Sequence, residues 1–137
     1  MQWLNSLFSL GELPPFALEK FASHRLLRHE LAKLDGRKGT VRFARDHTDV
    51  IIGITVIVNP DQSRPEREVT LVHEHFHLVL GATHPEGDMM MQTLSQRAYD
   101  FVEERIDAAA YEFQRRNPRF VADFYDRFLG RFERTET

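Results

Sequence analysis

Residues 63–81 read SRPEREVTLVHEHFHLVLG, a segment that predicts the helix around which the rest of the chain is arranged. Ser63 can cap the start of this helix, and Glu66 completes a capping box with it. We expect the helix to continue to about Leu80, with Gly81 as its C-terminal stop. The apolar residues recur at three- and four-residue steps, so one face should pack on a core. That face consists of Val69, Val72, Phe76 and Val79.

A different face of the same helix carries two histidines at the spacing of a metal site. His73 and His77 are four residues apart, so their imidazoles lie one above the other and can converge on one tetrahedral ion. Glu74 lies about 100° around the helix from His73, near enough to reach a metal-bound water without being a ligand. This H-E-x-x-H pattern predicts a zinc peptidase site in which Glu74 acts as the general base.

A second acidic pair offers the third ligand that a zinc site needs. Glu103 and Asp107 are four residues apart on one face of a later predicted helix. One of them can therefore bind the metal while the other hydrogen-bonds a ligand histidine. We take Glu103 as the metal ligand. His84, seven residues beyond His77, is the rival ligand, but its spacing differs by one residue from the metzincin pattern.

The same later helix also carries a donor for the developing oxyanion. Tyr99 lies one turn before Glu103, so its hydroxyl can stabilise the negative charge that forms on the carbonyl oxygen during peptide hydrolysis. Tyr99 is therefore predicted to be catalytic, with His84 and Tyr111 as alternatives. The remaining histidines outside the motif are predicted to be ordinary surface residues: His24, His29 and His47.

Two strands are predicted before the metal-binding segment. Residues 40–45 alternate between apolar and polar, and residues 50–58 (VIIGITVIV) are β-branched almost throughout. The second pattern is typical of a strand covered on both faces. The short polar connection at 46–49 favours an antiparallel hairpin. Upstream, apolar residues recur at helical spacing from residue 16 to residue 34, so a helix is predicted there.

Two helices are predicted after the metal-binding segment, from about Thr93 to Arg116 and from Arg119 to Phe132, separated by Asn117 and Pro118. The elements together predict an α+β fold, a single zincin-like domain over residues 1–137. A small, mainly antiparallel sheet should pack against the H-E-x-x-H helix and further helices. We expect a peptide substrate to bind extended along an exposed strand edge.

Composition narrows the classes of function. The 137 residues suit one domain with a real core, and a net charge of −3 without a basic stripe disfavours direct nucleic-acid binding. The absence of cysteine excludes disulfides and thiolate chemistry and fits a reducing compartment. The first ten residues lack the basic region of a signal peptide, and the longest apolar run is about half of a membrane span. A cytoplasmic enzyme with a protein or peptide substrate and no membrane partner is expected.

The motifs resemble those of the ImmA/IrrE-type metallopeptidases, a branch of the gluzincins. The resemblance covers roughly residues 50–118 and consists of a β-branched strand ending in Asn-Pro, the segment EVTLVHEHFHLVL, and an acidic pair followed by alanines. It implies a substrate such as a transcriptional repressor and leaves open Asp107 as the ligand, with Tyr111 in the position of the family's Asn. The resemblance implies zinc at His73, His77 and Glu103, with Glu74 as general base.

A second class of function is compatible with the same residues. The chain could be a non-catalytic regulatory or interaction module that keeps zinc for its folding. Glu74 favours the enzyme over this alternative, because a structural zinc site has no use for a base beside an open coordination position.

Overall fold

The computed structural model describes residues 2–83 and 95–134, and in these ranges it confirms the predicted α+β class. The helices are α1 (Gln2–Ser9), α2 (Pro15–Ala22), α3 (Arg64–Thr83), α4 (Gln96–Arg116) and α5 (Pro118–Arg134), with a 3-10 turn at Leu10–Glu12. The strands are β1 (Leu27–Leu31), β2 (Gly39–Arg45) and β3 (Ile51–Val58).

The sheet is mixed, with β3 in the middle. The predicted hairpin is confirmed, because β2 pairs antiparallel with β3. The expectation of a mainly antiparallel sheet is wrong, because β1 joins the other side of β3 in parallel, from Leu27 opposite Ile54 to Leu31 opposite Val58. β3 therefore has a partner on each side, and β1 and β2 form the two edges of the described sheet.

The helix predicted from Phe16 to Leu34 is too long: α2 ends at Ala22, and β1 follows it. Leu27 and Leu31 are four residues apart, a spacing that suits one face of a helix and equally one face of a strand. In the structure both side chains pack against the core, and His29 between them is buried. Pairing with β3 over five residues thus overrides the local helical pattern.

Helix α3 is the central helix and contacts the sheet, α2, α4 and α5. The hydroxyl of Ser63 accepts a hydrogen bond from the backbone N–H of Glu66 at 3.4 Å, as predicted for the start of the helix. The predicted stop at Gly81 is wrong, and α3 continues to Thr83. Gly81 lacks the left-handed backbone that would end a helix. The predicted apolar face is buried: Val69, Val72, Phe76 and Val79.

Helix α5 follows α4 directly along the chain, and the break between them lies where the sequence predicts it. Ser95 caps α4 by accepting from the backbone N–H of Ala98, whereas the predicted start near Thr93 lies outside the described residues. Asn117 ends α4 and Pro118 begins α5. The ring of Phe113 in α4 packs edge-on against Phe76 of α3, which fixes the two helices side by side. No helix in the described ranges is long and apolar enough to cross a membrane.

A candidate metal centre between two helices

Helices α3 and α4 bring the three side chains of the predicted ligand set to one point. His77 Nε2 lies 2.9 Å from Glu103 Oε1 and 3.2 Å from His73 Nε2. His73 Nε2 lies 3.1 Å from the other carboxylate oxygen, Glu103 Oε2. Ligand atoms of all three residues fall within 4.8 Å of one another, so the group could hold a metal ion.

The spacing of these atoms suits a tetrahedral ion. With bonds of about 2.0–2.1 Å to nitrogen or oxygen, two corners of a tetrahedron are about 3.3 Å apart. The separations in the group, 2.9 to 3.2 Å, are close to that value. Three protein donors also leave one position open for a fourth ligand, which is the pattern of catalytic zinc sites.

Asp107 orients one of the two histidines. Its Oδ1 lies 3.1 Å from His73 Nδ1 and accepts the proton of that nitrogen. The opposite nitrogen, Nε2, faces Glu103 and His77, and it would give up the proton that it shares with Glu103 in order to bind a metal there. Asp107 therefore selects the tautomer that a metal needs and lies in the position expected for a carboxylate behind a ligand histidine.

The electrostatics of the group favour a positive charge. Burial alone would raise the pKa of Glu103, but hydrogen bonds from His73 and His77 outweigh it and hold that pKa well below its usual range. Burial alone would lower the pKa of His73, but the carboxylates of Glu103, Glu74 and Asp107 raise it above the usual value. The negative charge of these carboxylates can be neutralised either by protons on the histidines or by a metal cation between them.

Glu74 is buried beside this group, with 8% of its surface exposed. Burial raises its pKa, and the positive charges of His77 and His73 offset only part of the shift. Gly39, at the start of β2, lies against it: a Cβ there would stand 3.1 Å from Glu74 Cγ and 2.6 Å from Thr70 Cγ2. No sequence motif predicted that Gly39 lies against Glu74. The sequence shows only that a glycine directly precedes the segment of alternating apolar and polar residues.

Tyr99 is 39% exposed and lines the same cavity as His73, His77 and Glu103, which together are called the metal group below. Partial burial raises the pKa of its hydroxyl, and the neighbouring Glu103 carboxylate raises it further. The hydroxyl therefore stays protonated at neutral pH and is able to donate a hydrogen bond. The catalytic role predicted for Tyr99 stays a prediction.

The metal group opens into a cavity of about 1010 Å³ between α3, α4 and the β2–β3 hairpin. β2, an edge of the described sheet, lines this cavity along most of its length. Arg37, Lys38 and Arg45 contribute positive charge to its walls. The apolar lining is formed by Val41, Phe43, Ile51, Ile54 and Leu78. The cavity is thus a cleft long enough for several residues of an extended peptide.

His84, predicted as the rival ligand and as an alternative oxyanion donor, lies outside the described residues. The prediction that His29 is a surface residue is wrong. His29 is 7% exposed, and its Nε2 lies 3.0 Å from Nε2 of His75, which is fully buried in α3. Leu27, His29 and Leu31 occupy alternate positions of β1, and this spacing in the sequence could have indicated that His29 faces the core together with the two leucines. His24 and His47 are exposed, as predicted.

In comparisons with known proteins, no family model matches this sequence, and no curated protein matches it either.

Proposed function

We propose that the chain is a zinc-dependent endopeptidase of the ImmA/IrrE type. The observation that carries the proposal is the meeting of His73, His77 and Glu103 within 4.8 Å, beside the buried carboxylate of Glu74. Two imidazoles and one carboxylate suit zinc among the common biological metals, and three ligands leave it an open position. Because Glu74 lies beside the three ligands as a base, the arrangement supports an enzyme rather than a non-catalytic module that zinc stabilises.

The residues divide the chemistry of peptide hydrolysis among them. Zinc, when bound, acts as a Lewis acid and lowers the pKa of a water ligand to about 7. Glu74 accepts the proton of the attacking water and passes it to the leaving amine, a transfer that its raised pKa favours. Tyr99 donates a hydrogen bond to the carbonyl oxygen as negative charge develops there. Asp107 keeps the ring of His73 in place throughout.

The cleft supports a peptide as the substrate. A chain laid antiparallel or parallel to β2 would extend the sheet by one strand, with its backbone paired to the edge. Its side chains would alternate between solvent and the apolar lining around Phe43, which is 49% exposed in the absence of a substrate. The resemblance to the ImmA/IrrE-type peptidases supports a regulatory protein, such as a repressor, as the natural substrate.

The proposal is tested by cleavage of a mixed peptide library, followed by mass spectrometry. Zinc-loaded protein is expected to generate new termini, and Glu74→Gln is expected to generate none while binding the same amount of zinc. Equal zinc with no cleavage by either protein, together with unfolding when the zinc is chelated, would instead support the non-catalytic module. Equal cleavage by both proteins would remove Glu74 from the mechanism.

A further inference from the structure

A second cavity, of about 580 Å³, lies at the β1 edge of the sheet, against helix α5. The metal cleft lies along β2, which forms the other edge, and the two cavities meet the middle strand β3 at different residues, the cleft at Ile51 and Ile54 and the second cavity at Thr55. The second cavity shares no lining residue with the cleft. It therefore requires an explanation other than the proposed peptidase site.

Three arginines line this second cavity. Arg28 extends from β1, and Arg127 and Arg131 are one helical turn apart on α5. The cavity contains one acidic residue, Glu30, so its lining carries a formal charge of +2. This concentration of positive charge occurs in a chain whose net charge is −3, so overall composition does not account for it.

The aromatic rings of α5 hold two of these arginines in place. The guanidinium of Arg127 lies 4.9 Å from the ring centroid of Phe128, and that of Arg131 lies 4.8 Å from the ring centroid of Phe132. Stacking restricts a guanidinium to a plane and leaves its edge N–H groups available. Arg127 also forms an ion pair with Glu19. Both partners are about half exposed and such a pair adds little stability, so a ligand can replace Glu19 while the guanidinium stays against Phe128.

His29 gives the cavity a polar residue that is more than nine-tenths buried. Its ring packs 4.2 Å from the ring of Phe128, and its Nε2 is engaged with His75. Burial lowers the pKa of His29 to about 3, and the neighbouring His75, Arg131 and Arg127 contribute to the shift. The three arginines thus lie around a neutral, hydrogen-bonded floor, and the charge of Arg127 is shared with Glu19.

We propose that this second cavity binds a phosphoryl group, as inorganic phosphate or as a small phosphate monoester. A phosphate monoester carries a charge of about −1.5 to −2 at neutral pH, which matches the charge of the lining, whereas a carboxylate would neutralise only half of it. A guanidinium group binds two phosphate oxygens at once, and here the strand β1 and the helix α5 both contribute guanidinium groups to the cavity. The proposal does not depend on peptidase activity.

The test is the thermal stability of the zinc-loaded protein with inorganic phosphate, with glycerol phosphate as the monoester, and with chloride at equal ionic strength. Phosphate in large excess over its dissociation constant is expected to raise the Tm by about 3 °C or more. The rise should be lost in Arg28→Gln/Arg131→Gln and retained in Arg119→Gln, which removes an exposed arginine of α5 outside the cavity. A larger rise with glycerol phosphate than with inorganic phosphate would identify the monoester as the preferred source.

Titration calorimetry provides a second measurement that is independent of folding midpoints. Arg28→Gln alone, at an exposed position of the edge strand, is expected to weaken phosphate binding by about tenfold without altering the fold.

The same Tm rise in Arg28→Gln/Arg131→Gln as in the unaltered protein would place phosphate elsewhere, for instance at the metal, and would overturn the proposal. An equal rise with chloride would do the same.

Discussion

Asp107 Oδ1 lies 3.1 Å from His73 Nδ1, on the side of the imidazole ring that faces away from Glu103 and His77. The contact joins α4 to α3 and fixes both the rotation and the tautomer of the histidine. We expect Asp107→Ala to weaken zinc affinity by about 10- to 100-fold, the usual cost of losing such a partner. Glu104→Ala, which removes an exposed carboxylate of the same helix, should leave the affinity unchanged. Competition with a zinc chelator measures both.

Removal of a ligand should have a larger effect than removal of its partner. We expect purified protein to carry close to one zinc per chain, and His73→Ala or His77→Ala to carry almost none. Glu103→Ala should lose most of the metal as well, because its two oxygens lie at 2.9 and 3.1 Å from the histidine nitrogens. Elemental analysis of these four proteins and of His84→Ala decides the question. Full zinc in Glu103→Ala, with loss of zinc in His84→Ala, would show that His84 is the third ligand.

The close approach of β2 to α3 predicts that a substitution at Gly39 lowers activity, although Gly39 takes no part in the reaction. A methyl group at residue 39 would stand 2.6 Å from Thr70 Cγ2 and 3.1 Å from Glu74 Cγ, so Gly39→Ala must displace one of them. We expect kcat to fall by up to about a hundredfold, the cost of a misplaced catalytic group, while zinc content stays the same. Gly53→Ala is the matched control, since its Cβ would meet its nearest neighbour, Ala44 Cβ, at 3.7 Å. A normal kcat in Gly39→Ala would show that the carboxylate tolerates the movement.

Tyr99→Phe isolates the hydroxyl at the mouth of the metal group. Loss of one oxyanion donor lowers kcat by about ten- to a thousandfold, so we expect a fall in that range. Zinc content and Tm should change little, because the substitution keeps the aromatic ring and removes only the hydroxyl of a residue that is 39% exposed. Tyr111→Phe, at another exposed tyrosine of α4, should behave like the unaltered protein. If kcat is the same in Tyr99→Phe, the donor must be sought elsewhere, with His84 first.

The buried histidine pair predicts how stability depends on pH. Burial lowers the pKa of His29 from 6.5 to about 3 and that of His75 to about 4, so the unfolded chain binds protons that the folded chain does not. Above pH 6.5 His29 is neutral in both states and does not lower the free energy of unfolding. As the pH falls from 6.5 toward 3, the unfolded chain takes up the proton and the free energy of unfolding decreases. Between about pH 7 and pH 5 the loss from His29 alone should be about 2 kcal/mol.

Urea unfolding at those two pH values measures this dependence. His29→Gln should lose less stability on acidification than the unaltered protein, because its unfolded chain lacks the imidazole that takes up a proton in this pH range. His47→Gln, at an exposed histidine, should lose as much as the unaltered protein. Any contribution from metal release is common to all three proteins and cancels in the comparison. Identical losses in His29→Gln and the unaltered protein would contradict the assignment to this ring.

The sequence predicts the parts of this structure that depend on neighbours along the chain. The spacing of four between His73 and His77, and again between Glu103 and Asp107, predicts one face on each of two helices. The hairpin follows in the same way from a short polar turn between two β-rich segments. What no local pattern contains is the distance between those faces, which here is set by packing between α3 and α4.

The failures of prediction have the same cause. Leu27 and Leu31 satisfy helix and strand periods alike, and only the parallel ladder to β3, about 27 residues later in the chain, decides between them. Gly39 owes its role to Thr70 and Glu74, which are more than 30 residues away. The burial of His29 depends on His75 and Phe128, which belong to two different helices. Contacts of this kind become visible only when the chain is folded.

The donors of the metal group come from only two elements, His73 and His77 from α3 and Glu103 from α4. A bound ion would therefore act as a cross-link between residues 30 positions apart, and its binding energy would oppose the separation of these helices. Loss of the ion leaves a concentrated charge cluster at their junction, so local opening should begin there before the sheet is affected. Amide hydrogen exchange would register this as faster exchange in the facing turns of α3 and α4, with the β3 amides still protected.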